Sequence, residues 1–271
     1  MKKLLALALA LGIMLALSGC YSMSFGGHTT LRGNRAITSQ TVAVDGEGSF
    51  ALEIEGFSMQ NFTPTLTVDE RLGEYEGVIV IRADDNLHEY ITVDVRDNRI
   101  VIRSQNRVRM IPSELHITTA LPIDNLRLSG AWRAYVTCTR VENFTANCSG
   151  STRGEFMLGE LDRLDLNGSG SARFAVHATA NDVRVNISGS GRVTLNGAAE
   201  SADLRISGSG NVEAFDFPVQ TARVNISGSG RVDIAVEQEL DVDVSGSGRV
   251  TYDGDPHVRS RISGSGRITA R

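Results

Sequence analysis

From about residue 128 onward, apolar and polar residues alternate in short runs separated by Ser-Gly turns. Val183, Val185 and Ile187 precede one such turn, and Val193 and Leu195 follow it. The same pattern recurs as Val224 and Ile226 before Val232 and Ile234, and as Val242 and Val244 before Val250 and Tyr252. A period of two on both sides of a glycine turn predicts paired short strands, each with one buried face.

The turns are themselves periodic. Leu128-Ser129-Gly130, Cys148-Ser149-Gly150 and Leu166-Asn167-Gly168-Ser169-Gly170 are followed by Ser-Gly-Ser-Gly turns after Ile187, Ile206, Ile226, Val244 and Ile262. Taking the first glycine of each turn (130, 150, 168, 189, 208, 228, 246, 264), the spacing is 18 to 21 residues. Short strands that cannot bury an inner face alone do so by stacking unit on unit, the logic of a solenoid. The expected fold class is therefore all-β: a β-solenoid, parallel β-helix-like and right-handed by the chirality of parallel crossovers. At a strand spacing of about 4.8 Å, seven steps make a rod roughly 34 Å long. Glycine is expected at the turns for its access to positive φ, with serine hydroxyls satisfying turn backbone and stacking coil on coil.

Residues 36–127 carry strand signals without the repeat: Phe50–Ile54, Val78–Ile81, Tyr90–Val95, Arg99–Ile102 and Leu115–Thr118. Asp97-Asn98 reads as a tight hairpin turn. This half is expected to continue into the solenoid or cap it, since an open end would expose an unpaired edge. No stretch after Leu17 has helical periodicity.

The chain begins with Lys2, Lys3 and the apolar run Leu4–Leu17. At about 1.5 Å per residue this run is short for a hydrocarbon core of about 30 Å, and reads as a secretory signal over residues 1–19. It ends in Leu17-Ser18-Gly19-Cys20, which resembles the lipobox of bacterial lipoproteins. That resemblance implies lipidation of Cys20, cleavage before it, and a membrane partner through the N-terminal lipid anchor. Tyr21 is not an acidic inner-membrane retention signal, so the expected location is the outer membrane. The Gly-, Ser- and Thr-rich residues 20–35 read as a lipidated flexible tether, followed by the β region 36–127 and the solenoid 128–271.

Composition narrows the function. Without residues 1–19 the chain has 25 Arg against 32 Asp and Glu (25 − 32 = −7) and no Lys. A net acidic chain is a poor nucleic-acid binder, and no nucleic-acid partner is expected. Three residues beyond the first glycine stand Arg133, Arg153, Arg192, Arg231, Arg249 and Arg267; Asn211 replaces arginine in coil five, and coil three delays it to Arg173. Stacking would align them on one face as a candidate binding strip for an acidic polymer or partner. Glu155, Glu213 and Asp233, two residues further along, could instead neutralise it. Cys138 and Cys148 both read as inward-facing. In an oxidising envelope compartment they are a candidate disulfide pair, with two buried free thiols as the alternative.

The segment His116–Pro122, the Leu126–Gly130 turn and the repeated Ser-Gly-Ser-Gly turns resemble the bacterial auto-transporter adhesin, head GIN domain family, over roughly residues 36–271. The resemblance implies an all-β, solenoid-like fold and an adhesion or envelope role, and it supplies no catalytic residues.

The chain's own chemistry agrees with a non-catalytic reading. His28, His88, His116, His177 and His257 have no metal-ligand spacing, so neither a metal site nor a cofactor is expected. The best enzymatic constellation is Asp241 and Asp243 with Arg223 and Arg205, as a polysaccharide-cleaving β-helix would need. Alternating outer-face charges explain it equally well. The expected function is a lipid-anchored envelope protein whose head binds a glycan, peptidoglycan or protein ligand. The alternative is a purely structural envelope protein. Trp132 and Tyr135 are the aromatic candidates for a ligand surface.

Overall fold

The computed structural model describes residues 24–25 and 28–271. The lipobox and Cys20 lie outside the described residues.

The chain is all-β, and its C-terminal half is a parallel solenoid. Each full coil is a nearly unbroken extended run from one glycine corner to the next, such as Arg173–Gly189, Arg192–Gly208, Asn211–Gly228 and Arg231–Gly246. Successive runs pair in parallel, so equivalent residues stack in columns: Ile187 on Ile206, Ile206 on Ile226, Ile226 on Val244. Ile187, Ile206 and Ile226 are each 2% exposed, and they share one continuous core with Val185, Val224 and Val250. Ile262 continues the column above Val244 but is 44% exposed, because the last coil has no neighbour on its outer side among the described residues.

The two corners of a coil behave differently. At the glycine corner the register is constant: Gly189, Gly208, Gly228, Gly246 and Gly264 stack directly on one another. Gly208 has φ +118°, and a Cβ built there would lie 2.6 Å from the Gly189 carbonyl oxygen. Positive φ and the close approach of the coil beneath both demand glycine. The second glycine has another cause: a Cβ on Gly210, Gly230 or Gly248 would lie 2.6–2.7 Å from Cγ2 of the isoleucine one coil earlier. At the far corner, by contrast, the inward alternation slips between Ala180 and Val183. Register irregularities gather there, between Met157 and Glu160, Thr194 and Ala199, and Ala214 and Val219. Differences in coil length are absorbed at this corner.

Two expectations about the turns need correcting. In coil three the corner glycine is Gly170 (φ +75°), which stacks on Gly189, while Gly168 occupies the isoleucine column opposite Ile187. The missing side chain there leaves space for Phe174, whose ring would lie 3.2 Å from a Cβ on Gly168; Gly154 likewise makes room for the ring of Phe156. Phe144, Phe156 and Phe174 form a run of ring contacts at 5.5 and 5.6 Å. Secondly, the later corners are bonded coil to coil by the serine amide, Ser190, Ser209, Ser229 and Ser247 N–H donating to the glycine carbonyl one coil back at 2.8–2.9 Å, whereas in the first turn the Ser129 hydroxyl donates to Ile54 O at 3.3 Å, as expected.

Of the two states left open for the cysteines, the structure has free thiols. Cys138 lies at the far corner, where its thiol neighbours the Ile123 backbone; Cys148 lies two residues before Gly150, above Leu128. About five strand residues, roughly 16 Å, separate those positions along the face, beyond the reach of a disulfide. Burial pushes both thiols up to about 12, so neither is a thiolate at neutral pH.

The N-terminal half continues both faces of the solenoid as wider, three-sided coils. One consists of Phe50–Glu55, Ser58–Met59 and Thr65–Asp69; the other of Arg99–Ser104, Val108–Ile111 and Leu115–Thr119. Strand Ile123–Gly130 pairs with Phe50–Glu55, and Arg133–Cys138 with Thr65–Asp69. The earlier coil is thus sandwiched between two later ones, so stacking order departs from chain order. The end is closed by antiparallel strands Ile37–Ala43, Val78–Asp84 and Ile91–Arg96, and by the 3-10 helix Asp85–Tyr90, which buries Leu87. Asp97 and Asn98 form the expected turn, both with positive φ. The tether reading needs shortening: His28–Arg32 is a strand paired in parallel with Val108–Ile111.

Asp84 fastens this cap. Fully buried, its carboxylate accepts the amides of Arg35 and Ser113 at 2.7 Å and the Ser113 hydroxyl at 2.5 Å. Burial alone would raise its pKa; the bonds from Ser113, Arg35 and Glu114 outweigh burial and hold it below the ordinary value.

Gly208→Ala is expected to lower stability by at least about 2 kcal/mol, through strain and displacement of Gly189, while Ser207→Ala changes it by less than about 0.5 kcal/mol. Urea midpoints of the two variants check this. Asp84→Asn should cost about 1–3 kcal/mol by leaving buried donors unmatched. Because the folded pKa is depressed, the carboxylate's contribution is fully present above the unfolded value of about 3.9. It is lost as pH falls through the lower folded value, so the wild-type advantage over the asparagine variant should shrink in acid titrations.

Candidate functional site

The columns make the outer surface repetitive, and two rows flanking the glycine corner concentrate its chemistry. After the corner, Arg133, Arg153, Arg173 and Arg192 stack in register, followed by Asn211, Arg231, Arg249 and Arg267. Arg173 therefore stands in file with the expected six, because its offset vanishes once Gly170 is the corner. All seven arginines are exposed, as the alternation with buried Val193 and Val232 requires. Arg192 pairs with Glu213 at 3.4 Å. Among the described residues, the other six have no acidic partner within salt-bridge distance, and Glu155 and Asp233 do not neutralise the row. Neighbouring cations about 4.8 Å apart repel by about 1 kcal/mol per pair even in water.

Before the corner runs a different row: Arg127, Asn147, Asn167, Asn186, Arg205, Asn225 and Asp243, again in register. Asn167 Nδ2 donates to Asn147 Oδ1 at 3.1 Å, and Asn186 Nδ2 to Asn167 Oδ1 at 2.8 Å. This row and the serines Ser149, Ser169, Ser188, Ser207 and Ser227 bound a shallow open furrow of about 730 Å³, whose floor runs along the column of Cys148, Ile187, Ile206 and Ile226, with the side chains of that column buried in the core. Its three charged residues are all paired: Arg127 with Glu53 at 3.5 Å, Arg205 with Asp203 at 2.6 Å, Asp243 with Arg261 at 3.5 Å. The furrow is thus electrically quiet and the arginine row across the corner is not. Sequence reasoning passed over the asparagines. Their recurrence three residues before the corner glycine becomes visible only when Gly170, not Gly168, sets the alignment.

The remaining candidates separate. Trp132 is buried, its Nε1 donating to Ser129 O at 3.2 Å and its ring edge-on to Phe57 at 5.5 Å, so it is core rather than ligand surface. Tyr135 is exposed beside the arginine row. Asp241 lies 3.7 Å from both Arg223 and Arg259, on the face that also holds the Asp243–Arg261 pair. All four residues of the enzymatic constellation line one open depression of about 600 Å³, together with Arg259 and Arg261, and within it Arg205 pairs with Asp203. Among the described residues, no three His, Cys, Asp or Glu side chains are grouped as metal ligands.

Comparison with known proteins places this architecture. A putative adhesin from Parabacteroides merdae superposes with a TM-score of 0.77 at 22% identity, covering 89% of this chain and 99% of that one. A protein described as putative lipid binding, from Parabacteroides distasonis, gives 0.77 at 21% identity with the same coverage. A putative adhesin from Bacteroides fragilis gives 0.60 at 20%, covering 89% and 98%. Such identities speak for a shared fold alone. No curated protein sequence matches the chain. The family described as "Putative auto-transporter adhesin, head GIN domain" matches residues 61–256, which take in the last strand of the first three-sided coil, the whole of the second and most of the glycine-cornered ones, and the chain belongs to that family.

Proposed function

We propose that this protein is a lipid-anchored, non-catalytic binding head of the cell envelope, which holds an extended anionic polymer along its arginine row. The observation that carries this reading is the row itself: six exposed guanidinium groups in file without acidic partners, on a chain whose formal net charge is −5. Aligning like charges on a rigid sheet is unfavourable unless something negative lies against them. A polyanion parallel to the solenoid axis would meet a new cation at nearly every coil and release counterions as it bound. Arginine's planar fork suits carboxylate, sulfate and phosphate groups alike. Asp241 and Asp243 are each taken up in ion pairs with surface arginines, which supports the non-catalytic part. The family name, an adhesin head, agrees with binding. The lipobox at Cys20 supports attachment to the envelope, with the outer membrane as the proposed location.

With polygalacturonate as the probe, the protein should bind with affinity that rises with polymer length and falls steeply with salt. The double variant Arg231→Ala/Arg249→Ala should lose about tenfold, the order expected for two charge-assisted contacts. No binding at low salt, or binding indifferent to those substitutions, would sink the polymer reading. For the anchor, Cys20→Ser expressed in a bacterial host should abolish labelling by a fatty-acid analogue and release the protein from the membrane fraction. Membrane retention unchanged by that substitution contradicts lipidation at this residue.

A further inference from the structure

We infer that the furrow before the glycine corner is a second binding site, taking one strand of a linear, neutral, β-linked glycan laid along the solenoid axis. This goes beyond the arginine row, which lies across the corner and calls for the opposite chemistry.

The inference starts from charge. Each ionised residue in the furrow has its own partner, so the surface offered to a ligand is one of amides and hydroxyls. A polyanion gains nothing there over water, whereas a polymer of hydroxyl groups does. The asparagine ladder decides what is offered. Within it Asn167 uses one amide hydrogen and one carbonyl lone pair, which fixes the plane of the group. An asparagine has two amide hydrogens and two carbonyl lone pairs. One donor and one acceptor therefore remain on Asn167, and at least one of each on Asn147 and Asn186, matching a sugar hydroxyl that both gives and receives.

Shape separates a glycan from an acyl chain. The furrow is shallow and open along its length, so a hydrocarbon lying in it would leave half its surface in water and lose much of its burial energy. A pyranose ring has apolar C–H faces and hydroxyl edges. One face can lie along the furrow floor, where the protein chain passes Ile187, Ile206 and Ile226 with their side chains turned into the core, while its edges reach the asparagine and serine rows. Period is the last element. Asn147, Asn167, Asn186 and Asn225 lie on stacked coils, which repeat at about 4.8 Å, and an extended β-linked pyranose chain advances by nearly the same distance per sugar. From Arg127 to Asp243 the row takes six steps, a length of about 29 Å. The rungs stand on paired strands, so the site is built before the ligand arrives and little ordering is required on binding.

The test uses the full chain with cello-oligosaccharides and chito-oligosaccharides of two to eight sugars, titrated by calorimetry. Affinity should increase with length up to about six sugars, set by the furrow, and then level off, with little dependence on salt. Asn167→Leu/Asn186→Leu should weaken binding at least about tenfold, as expected for losing two or more hydrogen bonds. Polygalacturonate binding through the arginine row serves as the folding control and should survive that change. Conversely, Arg231→Ala/Arg249→Ala should leave oligosaccharide binding intact, so the two readings stand or fall separately. Absence of saturable binding to either series overturns the inference. So does binding that ignores the asparagine substitutions. Fatty-acid or phospholipid-vesicle binding abolished by those substitutions, with no oligosaccharide binding, would identify the occupant as an acyl chain and equally overturn it.

Discussion

The structure depends on one close approach. At the glycine corner each coil passes so near the one beneath that a Cβ on Gly228, Gly246 or Gly264 would lie 2.5 Å from the preceding glycine's carbonyl oxygen. Only a residue without a side chain and at ease with positive φ can stack there repeatedly. The same approach lets the next serine's amide reach that carbonyl, so backbone bonding continues around the corner. With this corner constant, every column beside it inherits a constant register. Variation in coil length is displaced to the far corner.

A constant register turns one-dimensional repetition into surface chemistry. Two positions of different character on either side of the corner become two parallel rows, one of guanidinium groups of which six have no acidic partner among the described residues and one that includes hydrogen-bonded asparagine amides. Neither row is a pocket in the usual sense. Each is a line, and the ligands that suit a line are extended and periodic. The interior adapts around the same register: where a column loses its side chain at Gly154 and Gly168, the rings of Phe156 and Phe174 take the space, so the core stays filled while the outer rows remain in file.

The two ends of the rod are treated differently. At the N-terminal end, coil order departs from chain order, antiparallel strands close the stack, and the buried Asp84 carboxylate ties Arg35 to Ser113. At the other end the last coil keeps its inner column half exposed and carries Arg259 and Arg261 on its strand, which pair back to Glu239, Asp241 and Asp243. Charged residues on an edge strand discourage further strand addition.

The repeat, the inward alternation and the stacked columns from Ile187 onward were legible from residues alone, because glycine corners and period-two burial are local signals that repetition amplifies. The Arg133–Arg267 row was legible for the same reason. Sequence alone could not order the coils of the N-terminal half: which strand lies against Ile123–Gly130 is settled by long-range pairing, and Phe50–Glu55 carries no mark of its place in the stack. Nor could it separate Gly168 from Gly170, since both sit in a Ser-Gly turn and only the neighbouring coil shows which one bends the chain. The cysteines were inward-facing by alternation, but their distance apart depends on which corner each approaches. Trp132, the asparagine ladder and the pairing state of every charge were decided by tertiary contact, because burial and ion pairing belong to the distance between coils and not to the order of residues within one.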